Sequence, residues 1–148
     1  MKRVTFPTKP YSWVQFPVTM KGFDKPAHLT LKFFGGAEID HYAVEQRCGT
    51  HAHQMLNMKL AEFVWEPKFW SSPHDHANYY VLAFVKYPSI LGFMHKTFDL
   101  IRDPYIPWTP HITVTKEYFL LVEDQAFTPQ ECQLVFGEAE LCLGGPNI

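Results

Sequence analysis

Two short stretches of the chain carry the same arrangement, His28-Leu29-Thr30 and His111-Ile112-Thr113. A β-strand sends successive side chains to opposite faces, so residues two apart share one face. On strands, His28 and Thr30 would look the same way, with Leu29, Leu31 and Phe33 packed behind them. His111 and Thr113 would do likewise over Ile112 and Val114. An imidazole changes charge near neutral pH, and a hydroxyl donates to an anionic oxygen. One copy of so short a pattern arises by chance; two, both in strand-like runs, are hard to attribute to it. Facing each other across a cleft, they would supply two proton-transfer groups and two donors to phosphate oxygens. Those are the requirements of an in-line displacement at phosphorus.

Other residues can be weighed for the same chemistry. Lys32 is in strand register with His28 and Thr30, and Thr115 with His111 and Thr113; either could add a phosphate contact or simply face solvent. His51 with His53, and His74 with His76, suggest zinc, but no cysteine or carboxylate cluster completes a four-ligand set at a recognisable spacing. Surface histidines are the simpler reading. Tyr11, Trp13, Trp65, Trp70 and Trp108 are core or hinge aromatics by default. A nucleobase ligand nevertheless needs stacking planes, each worth about 1–3 kcal/mol; Trp70 and Trp108 sit beside polar turns near expected strand ends, and Tyr11 opens the strand adjacent to the first motif. Glu140 alternates with apolar neighbours, and could accept from a base edge, orient a histidine, or be an exposed strand carboxylate.

The elements that must position these groups follow from the order of apolar runs. With 148 residues the chain is most simply one domain, able to bury about two-thirds of its surface. Residues 1–10 read as an extended arm, 11–18 as an aromatic, β-branched strand, and 19–26 as a polar turn. The first His-x-Thr strand is stopped by Gly35-Gly36. Residues 39–56 give a fair helical pattern that Gly49-Thr50 could interrupt. Strands are expected over 59–65, 69–72 and 78–86, then an amphipathic helix over 88–101. A three-proline loop over 103–110 delivers the chain onto His111. An apolar run over 118–122 and an acidic turn precede a last strand over 132–143.

Composition narrows the partners. Thirteen basic residues against 15 acidic ones give a net charge of −2, a poor basis for gripping a long nucleic-acid backbone. Three cysteines without metal-type spacing, and no stretch resembling a signal peptide, read as reduced thiols in a cytoplasm. No apolar run approaches the roughly 20 residues needed to cross a bilayer.

His28-Leu29-Thr30-Leu31-Lys32-Phe33-Phe34-Gly35 and Thr109-Pro110-His111-Ile112-Thr113-Val114 resemble the two signatures of the 2H phosphoesterase superfamily. The preceding strand, the Phe-Phe-Gly ending, the proline before the second histidine and the helix ahead of it are in family order. The resemblance implies an α+β, bilobal, pseudo-two-fold fold, with antiparallel sheets facing a central cleft and helices outside. It implies metal-independent phosphodiester chemistry without a cofactor, and His28, Thr30, His111 and Thr113 as the catalytic residues. A narrower similarity, in the early Tyr, the mid-chain Trp and the late Glu, is to phage anti-CBASS nucleases, which destroy cyclic oligonucleotide signals. It implies Tyr11, Trp70 and Glu140 as base contacts, a small cyclic or short oligonucleotide substrate, and action in a host cytoplasm. Two alternatives remain at this point: an RNA-processing 2′,3′-cyclic phosphodiesterase or 2′-5′ ligase-like enzyme, and a non-catalytic nucleotide-binding or interaction module.

Overall fold

The structure is a computed structural model that describes residues 11–36, 38–51, 58–71, 77–98 and 108–144. Its first strand shows how the sequence builds the fold. Ser12, Val14, Phe16, Val18 and Met20 are buried, while Tyr11, Trp13, Gln15 and Pro17 between them are only half-buried. That period of two makes β1 (Tyr11–Met20) a strand with one face to the core. β2 (Phe23–Gly35), β3 (Val64–Ser71), β4 (Asn78–Lys86), β5 (His111–Val114), β6 (Val135–Phe136) and β7 (Glu140–Gly144) complete one seven-stranded sheet. The order is β3-β4-β5-β2-β1-β6, with β7 also on β1, and the paired strands are antiparallel. α1 (His41–His51), α2 (Ser89–Thr97) and α3 (Lys116–Gln125) are the α-helices among the described residues. The expected α+β class is therefore what the chain adopts.

All three helices contribute to a single core with one face of the sheet. Val44 and Cys48 of α1, Leu91 and Met94 of α2, and Tyr118, Phe119 and Val122 of α3 meet Val14, Phe16, Leu29, Phe84 and Ile112 there. Burying each large aliphatic or aromatic side chain is worth about 1.5–3 kcal/mol. The opposite face carries Trp13, Gln15, His28, Thr30, Thr113 and His111. The strand period thus separates the packed face from the face that carries both His-x-Thr pairs.

Several expected elements take a different form. The turn expected over 19–26 shrinks to Lys21 and Gly22, and Met20 pairs with Phe23 across it. Gly22 supplies the positive φ of 80° that this reversal requires. Gly49 and Thr50 lie inside α1 and do not break it. The two strands expected over 59–72 are a 3-10 turn, Leu60–Glu62, and one continuous β3 running through Pro67. β3 is at the sheet edge, where a missing proline N–H need not cost a ladder bond. The run at 118–122 and the acidic residues after it are helical, because the Thr115 hydroxyl caps α3 by accepting from the Tyr118 N–H at 3.2 Å. The last strand divides into β6 and β7, both on the same edge of β1. Between them Gly137 donates to the Pro17 carbonyl at 2.7 Å, and a Cβ there would lie 3.0 Å from Pro17 Cγ. The arm over 1–10 and most of the three-proline loop fall outside the described residues.

One irregularity in β2 decides which side chains share the face of the His-x-Thr pairs. Val14 pairs with Lys32, but the next residue, Gln15, pairs with Thr30. Leu31 is an extra residue, and such a bulge reverses the alternation beyond it. His28 and Thr30 stay on the face opposite the core, while Lys32 is carried to the side of Val14 and is 1% exposed.

Candidate active site

The two His-x-Thr segments come together because β2 and β5 are neighbours in the sheet. Leu29 pairs with Ile112, both fully buried. Carrying that antiparallel register one residue either way sets His28 opposite Thr113 and Thr30 opposite His111. The Cα positions of these four residues thus mark the corners of a rectangle about 5 Å across the strands and about 7 Å along them. The histidines hold one diagonal and the threonines the other. His28 and Thr113 are exposed, whereas Thr30 and His111 are half-buried. The apolar residues expected behind them, Leu29, Leu31, Ile112 and Val114, are buried as expected. Phe33 is the exception: it pairs with Trp13 and lies against Tyr11, because the bulge moves it to the front.

His111 is held from its own chain. Its Nδ1 donates to the Thr109 carbonyl at 2.9 Å; a carbonyl can only accept, so the hydrogen is on Nδ1 and the Nε2 lone pair is left for chemistry. Pro110, next in line, accepts from the Phe84 N–H of β4 at 2.9 Å. The Trp70 ring of β3 meets the His111 ring edge-on, with centroids 4.7 Å apart. The register places the buried Val81 and Ala83 on the same face, between β3 and β5.

On the other side of the quartet, Tyr11, Trp13 and Phe33 form an aromatic group, with Tyr11 5.8 Å from Trp13 and 5.9 Å from Phe33. Beside it, Trp13 Nε1 donates to Gln15 Oε1 at 2.8 Å, and Gln15 Nε2 donates to Glu140 Oε2 at 2.7 Å. Glu140 pairs with Gln15, and Gln15 with Thr30, so the three stand in one row across β7, β1 and β2.

Electrostatics act on both histidines. The protein packed around His28 disfavours its imidazolium, the charge of His111 disfavours it further, and Glu140 favours it; the net effect is a lowered pKa. His111 is also lowered, by burial, against the opposing hydrogen bond to Thr109. Burial at both rings, and the charge of His111 at His28, disfavour a pair in which both imidazoles are charged. One neutral and one protonated imidazole is the combination that general acid–base transfer uses.

Of the residues singled out from spacing, His28, Thr30, His111, Thr113, Tyr11, Trp70 and Glu140 share one face. Lys32 does not, because of the bulge, and Thr115 is committed to capping α3. His51 is buried in α1, its Nε2 3.0 Å from Thr97 Oγ1, and is not a surface histidine. His53, His74 and His76 lie outside the described residues. Among the described residues no three His, Cys, Asp or Glu side chains cluster as a metal site. Trp65 is in the core and donates to the Phe127 carbonyl at 2.8 Å, and Trp108 stacks on His95 at 4.1 Å. Gln15 and Phe33 were not legible as site residues. The signal for Gln15 was its place among Tyr11, Trp13 and Pro17, the positions of β1 that alternate with its β-branched and aromatic core residues. Comparison with family models, curated proteins and solved structures finds no match for this chain.

Proposed function

We propose that this chain is a metal-independent phosphodiesterase that opens small cyclic nucleotides by two-histidine acid–base catalysis. On this reading the sheet is the joined form of a bilobal 2H phosphoesterase fold, with β1, β2, β6 and β7 as one lobe and β3, β4 and β5 as the other. The observation that carries it is the Leu29–Ile112 pairing, which turns two distant motifs into one quartet.

The geometry suits displacement at phosphorus. A phosphodiester seated over the quartet would direct its non-bridging oxygens to Thr30 and Thr113, whose hydroxyls would stabilise developing negative charge. The neutral histidine takes a proton from the attacking water or hydroxyl, and the protonated one gives a proton to the leaving oxygen. Each assist is worth about 10²–10⁴-fold. Aromatic side chains on both sides, Trp70 beyond His111 and Tyr11 with Trp13 and Phe33 beyond Thr30, suit a ligand with a base on either side of the phosphate. This supports a cyclic di- or trinucleotide as substrate, and a role in removing such signals during viral infection.

The test is an assay of cyclic dinucleotides, cyclic trinucleotides, 2′,3′-cyclic nucleotides and 2′-5′ oligomers, with and without EDTA. Cyclic oligonucleotides should be opened at a rate EDTA does not change, and His28→Ala and His111→Ala should each lower that rate at least about 100-fold with circular dichroism unchanged. Near-normal turnover by either variant would remove the acid–base pair. Turnover confined to 2′,3′-cyclic or 2′-5′ substrates would move the chain to RNA processing.

A further inference from the structure

We infer that Gln15, anchored by Trp13, is a positioning residue that fixes the Glu140 carboxylate on the His28 side of the quartet, so that the shared proton resides on His28 and His28 is the general acid. This rests on the reading of the quartet as an acid–base pair.

The hydrogen-bond chain can run in only one direction. An indole Nε1 only donates, so Trp13 takes the Gln15 amide oxygen and turns the amide nitrogen toward β7. A carboxylate only accepts when ionised, and Glu140 Oε2 receives that nitrogen at 2.7 Å. The Cys142 thiol donates to the same oxygen at 3.7 Å. Gln15 and Cys142 therefore hold one carboxylate oxygen in place, and Trp13 holds Gln15. A surface glutamate without such partners would spread its charge over several rotamers.

The surroundings make that carboxylate count on one side only. On β7, burial pushes the Cys142 thiol up to about 11; on α1, burial does the same to Cys48, also to about 11. Both are uncharged near neutral pH and add no competing anion. β1 offers His28 only the neutral Gln15 and Pro17, and β5 offers His111. His28 thus feels an attractive carboxylate and a repulsive histidine. His111, on β5, is one strand further from β7 than His28 is, and has the Trp70 ring against it and a carbonyl on Nδ1. A proton placed on either ring is better held at His28.

The reaction then has a direction. Neutral His111 takes the proton from the attacking water through Nε2 as the new P–O bond forms. His28 gives its proton to the leaving oxygen as the old P–O bond breaks, yielding a phosphomonoester and an alcohol. The protons have changed places at the end of turnover, and exchange with solvent restores them.

The experiment is an NMR titration of the imidazole resonances in the full-length, substrate-free chain, with Glu140→Gln, Gln15→Ala and Trp13→Phe beside the parent. His28 should titrate at lower pH in Glu140→Gln, and in the same direction by less in Gln15→Ala and Trp13→Phe, while His111 does not fall. An unchanged His28 in Glu140→Gln, or a fall at His111 in its place, would overturn the assignment. Because no substrate is needed, that result is independent of whether the chain opens cyclic nucleotides. With a substrate in hand, the alkaline limb of the kcat profile should move to lower pH in Gln15→Ala with KM little altered. A merely structural role for Gln15 would lower kcat without moving the limb.

Discussion

At the scale of single residues, the two histidines share a bias toward the neutral form, imposed mainly by the protein around them. The linkage sign follows from that direction. An unfolded histidine takes up its proton near pH 6.5, and these two take theirs up at lower pH when folded. Their contribution to stability is complete above about pH 6.5 and is lost as pH falls through the interval down to the folded values. The urea midpoint of the parent should therefore drop between pH 7.5 and pH 5, and His111→Ala should reduce that drop. An equal drop in both would show that His111 is not held neutral. The four motif residues were legible because their period of two coincides with the strand period. Lys32 was misread for the same reason: the alternation that links it to Thr30 fails at Leu31, and no residue type announces a bulge that tertiary pairing imposes.

At the scale of elements, the join between β2 and β5 controls the site. Ile112 lies under it, fully buried, paired with Leu29 on one side and Leu82 on the other. Ile112→Ala should cost about 2–5 kcal/mol, as the lost transfer energy adds to a cavity in a packed layer. Urea unfolding measures it, and a loss below 0.5 kcal/mol, on the order of a tolerated surface change, would show that the layer collapses to fill the space. β1, with its clean alternation, was readable over 11–18, and β4 was readable as an apolar run although Val81, Leu82, Ala83 and Phe84 are all buried. β3 was not, because Pro67 reads as a break until the strand is known to be at an edge. β6 and β7 were run together, because what separates them is Pro17 on a different strand. α3 escaped because its start depends on Thr115, which spacing had offered to the ligand.

At the scale of the whole molecule, net charge bears on the small ligand proposed above. The net charge is −2, and no helix among the described residues is long and apolar enough to cross a membrane. Removing Lys32 from the reactive face leaves the proposed phosphate seat dependent on hydroxyls and one histidine charge. Binding of a cyclic dinucleotide should then weaken only slightly between 50 and 200 mM salt, while a protein making 6–10 phosphate contacts would lose about 10³–10⁵-fold. Trp70→Ala should weaken it by about 1–3 kcal/mol, and titration calorimetry at the two salt concentrations measures both effects. Tight, steeply salt-dependent binding of long RNA that ignores Trp70 would contradict the small-ligand reading.

The diagonal quartet also has a handedness. A phosphorus seated above it would be prochiral, with one non-bridging oxygen turned to half-buried Thr30 beside Gln15 and the other to exposed Thr113 beside Val81. The two oxygens would not be equivalent to the protein even in a ligand that is itself symmetric. Entry and departure along the histidine diagonal would carry the phosphorus through to its mirror configuration, so the sheet register, set by one pair of aliphatic residues, would fix the stereochemistry of the reaction above it.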